Sequence, residues 1–184
     1  MDIKYFYDKG VLHSVWPPES YFGFSMWALA VPPFKPESVL LLGYGFGAIA
    51  GLIRKIWGED FWITGVDLKI PSTNAAGKLT NLVEADAFDY VKDVKVCQEQ
   101  YDYVVVDLFN GAEIPNEVWS KEFADNLARI TKKMLCINTL GQHDLHNIYN
   151  HFERILTKRL GDNEILFLVP GESKENYFPP RQSA

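Results

Sequence analysis

Residues 39–53 read VLLLGYGFGAIAGLI, and no other stretch restricts the fold as much. Four apolar residues run into three glycines at alternate positions, Gly43, Gly45 and Gly47. Ile49, Leu52, Ile53 and Ile56 then recur at helical spacing. A buried strand that turns into a helix through glycines brings its backbone close to something, because glycine alone combines no side chain with free access to positive φ. The N-terminus of the following helix gathers partial positive charge.

The same alternation runs along the rest of the chain. The pattern predicts strands over 38–42, 61–67, 81–85, 101–109, 133–140 and 164–169. It predicts helices over 47–57, from Pro71 to near Gly77, over 86–93, 116–131 and 144–156. Strand–helix alternation of this kind implies an α/β fold: a Rossmann-like, doubly wound, mostly parallel sheet. Runs such as VLLLG and YVVVDL stay apolar without alternating, as strands covered on both faces do. Residues 1–37 differ. They are rich in aromatics, hold five prolines and contain one expected helix over 19–30. We read them as a short N-terminal cap on an α/β domain spanning 38–184, and as a surface suited to homodimer formation.

With 184 residues, 47% of them hydrophobic, the chain can bury one sizeable core. The net charge of −6 does not suit a nucleic-acid surface, which needs a basic stripe. Cys97 and Cys136 are far apart and form no metal knuckle, and Cys136 reads as a buried core thiol. His143 and His146 have helical spacing but no third ligand, so no metal is expected. No apolar run approaches the roughly 18 residues of a membrane span, and the opening MDIKYFYDKG carries no secretory pattern. The expectation is a cytoplasmic protein acting on a small molecule, with no nucleic-acid or membrane partner.

Ligands of open α/β sheets bind beyond the carboxyl ends of the strands. Those ends carry a regular series: the glycines, Asp67, Asp86-Ala87 and Asp107, each about twenty residues after the last. A carboxylate at the second strand end can accept both hydroxyls of a ribose. Asp86 can take an adenine amino group, and Asp107 faces what lies beyond the nucleoside. Aromatic rings of Tyr44, Phe46 or Phe109 can face a cation. Each has a plainer reading: an Asp here also caps helices or forms turns, and the rings also pack cores. GYGFGA also fits the dinucleotide pattern G-x-G-x-x-[GA], with Asp67 at the expected distance, so an NAD-dependent oxidoreductase is one alternative.

The segments SVLLLGYGFG, GVD, EADAFDYV, YDYVVVDLF and WSKEFADNL together resemble the spermidine synthase-like branch of the class I S-adenosylmethionine-dependent methyltransferase superfamily. The resemblance covers about 38–141. It implies an S-adenosylmethionine or decarboxylated S-adenosylmethionine cofactor and transfer of a methyl or aminopropyl group to an unknown acceptor, such as an amine. It places Gly43, Tyr44, Gly45, Phe46 and Gly47 in the cofactor loop, Asp67 on the ribose, Asp86 and Ala87 on the adenine, and Asp107 at the reacting centre. Aminopropyltransferases carry an acidic residue where this chain has Phe46, and their Tyr-His-Glu clamp stands here as YFGFSM. Those departures favour methyl transfer over aminopropyl transfer. They also leave a second alternative, a non-catalytic degenerate synthase acting as a nucleoside-binding or assembly module.

Overall fold

The computed structural model of the protein describes residues 3–16, 25–70, 79–93, 100–141 and 144–171. In chain order the elements are β1 (Lys4–Asp8), β2 (Val11–Trp16), α1 (Ser25–Leu29), β3 (Ser38–Leu42), α2 (Ala48–Trp57), β4 (Trp62–Asp67) and β5 (Thr80–Glu84). There follow α3 (Ala87–Lys92), β6 (Tyr101–Val106), a 3-10 turn (Asn116–Trp119), α4 (Lys121–Ile130), β7 (Thr131–Asn138), α5 (His146–Tyr149), β8 (Phe152–Leu160) and β9 (Asn163–Pro170). The helix expected after Pro71 lies outside the described residues, as do Cys97, His143 and the first half of the helix expected over 19–30.

Seven strands form one sheet in the order β5-β4-β3-β6-β7-β9-β8. The five from β5 to β7 are parallel, and β9 runs antiparallel to both β7 and β8. The mostly parallel, doubly wound sheet expected from the alternation is therefore present. Successive residues of the central strands go to opposite faces, as the pleat requires. Val39, Leu41, Tyr103, Val105, Met134 and Cys136 pack with α1 and α2. Leu40, Leu42, Val104, Val106, Leu135 and Ile137 pack with α3, α4 and α5.

Three elements differ from the sequence reading. The helix expected over 144–156 is only the single turn α5, and from Phe152 the chain is strand β8. Ile148, Phe152 and Ile155 mimic helical spacing, yet Phe152 joins the cluster of α4 while Ile155 packs against that of α2. A bulge between Arg154 and Leu156 lets the strand serve both. The two-residue link Gly161-Asp162 closes the β8–β9 hairpin, with Gly161 at φ 57°. The helix expected over 116–131 breaks at Ser120, whose hydroxyl accepts the Phe123 N–H at 3.2 Å and caps α4. In the N-terminal segment, β1 and β2 form a hairpin around Lys9-Gly10, both at positive φ.

That segment shares the main core. Trp27, Ala30 and Val31 lie in the cluster that holds α2 and the sheet. Carbonyls at the end of α1 are taken by side chains of the sheet: Lys158 donates to Leu29 O at 3.1 Å, and the Tyr103 hydroxyl donates to Ala30 O. Trp57 Nε1 donates to Pro32 O at 3.1 Å.

At the opposite sheet edge from the strand carboxyl ends, Asp102 is 1% exposed. Burial pushes its carboxyl up, but Lys133 Nζ at 2.6 Å, the Glu37 N–H at 3.1 Å and the charge of Lys132 outweigh that and hold it below the usual range. Asp102→Ala should cost about 2 kcal/mol at neutral pH, read by urea unfolding. An unfolded Asp titrates near about 4 and the folded one lower. The deficit should thus be complete above that pH and fade as pH falls through the folded value; a deficit unchanged at pH 3 would contradict this account.

Candidate functional site

The strand order reverses direction between β3 and β6, and a crevice opens at such a switch point. Here it is a cavity of about 860 Å³. One end is walled by Gly43, Tyr44, Gly45, Asp67, Asp86 and Ala87, and Asp107 lies between that end and the rest. The sheet thus brings these sequence-selected residues to one space. Phe46 and Gly47 are not on its wall.

Gly43, Gly45 and Gly47 have φ of 90°, 52° and 81°. What comes close to them is partly the protein itself. A Cβ on Gly43 would stand 2.2 Å from the Asp107 carbonyl oxygen, and one on Gly47 would stand 2.4 Å from the Tyr44 hydroxyl. The Tyr44 ring is buried beneath the loop, and Gly65 of β4 makes room for it. Tyr44 is therefore a core side chain whose backbone lines the cavity, and burial raises its hydroxyl pKa. The loop N–H groups are also engaged. Gly43 and Tyr44 donate to Val66 O at 2.9 and 3.2 Å, and Gly47 donates to Tyr44 O at 2.8 Å.

Gly45 N–H donates to Asp67 Oδ2 at 2.7 Å, and Lys69 N–H to Oδ1 at 3.3 Å. These two bonds fix the carboxylate plane and still leave each oxygen a lone pair for a hydroxyl. Asp86 caps α3: its Oδ1 accepts Phe88 N–H at 2.7 Å and Asp89 N–H at 3.3 Å. Both bonds fall on one oxygen, so the cap and a contact through Oδ2 are compatible. The Ala85 N–H donates to Asp67 O at 2.9 Å, locking the two strand ends together.

Asp107 follows β6 and its N–H donates to Leu42 O at 2.9 Å. Asn138 Nδ2 donates to its Oδ1 at 3.1 Å. Burial raises the carboxyl pKa, the Asn138 bond and the facing His13 pull it down, and Asp67 pushes it up; the net direction is upward. His13 meets Phe109 edge-on, with centroids 6.0 Å apart. The rest of this end comes from Tyr7, Lys9 and His13 of the hairpin, Met26 and Trp27 of α1, and Asp162 and Asn163 at the β8–β9 turn. The sequence reading assigned none of these to the site. The one available signal was the imidazole of His13, and nothing local ties it to Asp107. Among the described residues no group of three or more His, Cys, Asp or Glu side chains can hold a metal ion. No helix among them is long and apolar enough to cross a membrane.

Comparison with known proteins bears on this geometry. The ribosomal protein L11 methylase of Lactobacillus delbrueckii subsp. bulgaricus superposes with a TM-score of 0.56 at 16% identity, covering 79% of this chain and 76% of that one. A methyltransferase from Geobacter sulfurreducens gives 0.53 at 14% identity, covering 79% and 76%. SMU.776, proposed as a methyltransferase and complexed with SAH, gives 0.56 at 12% identity, covering 90% and 52%. This is the Rossmann-like methyltransferase fold. No protein-family model matches the chain. A polyamine aminopropyltransferase of Vibrio vulnificus is 26% identical over 127 residues, 61% of this chain. The chain spans 41% of the length of that relative.

The crowding at Gly43 gives a direct test. Gly43→Ala should lower stability by roughly 3 kcal/mol or more, since both φ and the Asp107 carbonyl oppose a Cβ. Gly58→Ala is the control: φ is 91° there too, but nothing lies within 4 Å, so only the backbone cost of about 1–3 kcal/mol applies. Equal losses in thermal or urea unfolding would show that the Asp107 contact is immaterial.

Proposed function

We propose that the protein binds S-adenosylmethionine, or its decarboxylated form, along the edge formed by β3, β4, β5 and β6, and transfers a methyl or aminopropyl group to a small acceptor. The observation that carries this is Asp67: a carboxylate oriented by the Gly45 and Lys69 N–H groups, on the wall of a cavity shared with Asp86 and Asp107. In this reading Asp67 accepts the ribose hydroxyls. Asp86 Oδ2 and the Ala87 backbone meet the adenine, and the donor's sulfonium end points toward Asp107. The superposed methyltransferases, one of them complexed with SAH, support the cofactor class. The aminopropyltransferase relative supports the decarboxylated donor as the variant to compare.

The protein's part in such chemistry is alignment. A sulfonium donor already carries its leaving group, and holding a nucleophile in line with the activated carbon supplies several kcal/mol. Asp107 lies where it can hold a nucleophile or take its proton. Its raised pKa moves it toward the proton-accepting range. Phe109 lines the cavity beside His13 and in this reading its ring faces the sulfonium, whereas Tyr44 is buried. Methyl transfer leads, because Phe46 supplies no acid to hold a donor amine. The dinucleotide reading is not favoured: β9 inserts antiparallel between β7 and β8, away from the all-parallel order of dinucleotide-binding sheets.

Calorimetry with S-adenosylmethionine, its decarboxylated form, methylthioadenosine and NAD separates these readings. The expected result is binding of the adenosyl sulfur compounds and none of NAD. Asp67→Ala should lower affinity at least tenfold for whichever binds, and equal affinity in that variant would overturn the ribose assignment.

A further inference from the structure

Asp107 is not held by the strand that carries it. The group that touches its carboxylate is Asn138, the last residue of β7, and Asn138 is itself held by Asn163, the first residue of β9. Asn138 Nδ2 has two hydrogens and uses both: one bond runs to Asp107 Oδ1 at 3.1 Å, the other to Asn163 Oδ1 at 2.9 Å. Asn163 Nδ2 in turn donates to Met26 Sδ of α1 at 3.2 Å. A chain of polar contacts therefore crosses four elements and ends on one carboxylate oxygen.

We infer that Asn138 and Asn163 are positioning residues, an amide relay that sets which way the Asp107 carboxylate faces. The inference rests on the reading above, in which Asp107 stands beside the reacting centre. Three observations carry it. First, the sheet does not need these side chains, because β7 and β9 are joined by backbone pairing of Asn138 with Ile165 and onward. Second, the relay tolerates a loss. Asn138 is 8% exposed, and its Oδ1 is buried with no hydrogen-bond partner among the described residues. A buried acceptor left unpaired opposes folding, so the amide is fixed by what its NH₂ must do. An ionised carboxylate only accepts, which dictates that the NH₂ faces Asp107; turned about, oxygen would meet oxygen. Third, the relay binds Oδ1 alone, and no hydrogen bond to Asp107 Oδ2 is made among the described residues. That oxygen is left for the cavity.

The consequence is specific. The β8–β9 turn and α1, both on the cavity wall, are mechanically linked to the carboxylate through Asn163. The other titratable groups coupled to Asp107 are His13 from β2, Asp67 at the end of β4 and Cys136 from β7. Only Asn138 is hydrogen-bonded to it through a side chain among the described residues.

The test is carbon-13 NMR of aspartate-labelled, ligand-free protein, with the Asp107 carboxyl signal assigned by its loss in Asp107→Asn. Asn138→Ala should move its titration midpoint up by about one pH unit, because a donor to the ionised form is removed. Asn163→Ala should move it the same way by less. The double variant should go no further than Asn138→Ala alone, since the effect of Asn163 passes through Asn138. An unmoved midpoint in Asn163→Ala, or two shifts that simply add, would overturn the relay. Should Asn138→Ala fold poorly, Asn138→Asp keeps the volume. It sets acid against acid and should split the titration into two separated steps; a single step at the parent midpoint would equally overturn it. No nucleoside is present, so absence of S-adenosylmethionine binding counts against the proposed function alone, and an unmoved midpoint against the relay alone.

Discussion

The contact on which the site depends is between two backbones, where the end of β3 meets the end of β6. Gly43 lies so close to the Asp107 carbonyl that a single added carbon would sit 2.2 Å from its oxygen. The parallel ladder continues one residue past the strand, from Asp107 N–H to Leu42 O, and this draws the two chain ends together. Because strand order reverses at this pair, the connections leave in opposite directions and the space above is open. The closeness of the two strands thus produces both the cavity and the placement of Asp107 beside the glycine loop.

The loop itself is rigid for reasons internal to the protein. Tyr44 turns its ring down between Gly47 and Gly65, where any side chain would collide with it. Four loop N–H groups bond to Val66, Asp67 and Tyr44 and are not left pointing at a ligand. The glycines therefore have a double use. They admit an aromatic anchor from below at Gly47, and the Asp107 carbonyl beside Gly43. In the proposed reading, recognition falls to carboxylates held at fixed angles by backbone donors. That is cheap in conformational entropy, because Asp67 and Asp86 are ordered before any ligand arrives.

How far the sequence was legible follows from the same physics. The central strands could be read because parallel strands buried on both faces must be apolar throughout, and Leu40–Leu42 and Val104–Val106 are. The strand-end carboxylates could be read because each lies at the end of its strand or within two residues of it. Strand β8 was misread as helix because it sits at the sheet edge. Its charges Glu153, Arg154, Lys158 and Arg159 break the apolar run, and its bulge disrupts the alternation. The GD link at 161–162 was the available signal for a hairpin. Asn138 and Asn163 were illegible for a different reason: they meet only because β9 inserts antiparallel beside β7, a pairing that no local pattern encodes.

This division separates the two ends of the cavity. The end proposed for the nucleoside is made by consecutive strand ends of one parallel layer, so its residues appear at regular intervals in the sequence. The far end is assembled from four unrelated places: the β1–β2 hairpin, α1, the loop after β6 and the β8–β9 turn. Side-chain bonds tie some of these together, Lys158 of β8 to the end of α1 and Asn163 to Met26, while Val15 of β2 and Trp27 of α1 are buried in the core cluster of the sheet and α2. Tyr7 and Lys9 of the hairpin are exposed on the cavity wall, so changes there can reshape the far wall without touching the packing of β3, β4 and β6. In the proposed reading, the parallel layer fixes the donor end and these four segments shape the acceptor end. Acceptor selectivity, in that reading, lies in contacts between distant segments, which is why no local pattern of the sequence reveals it.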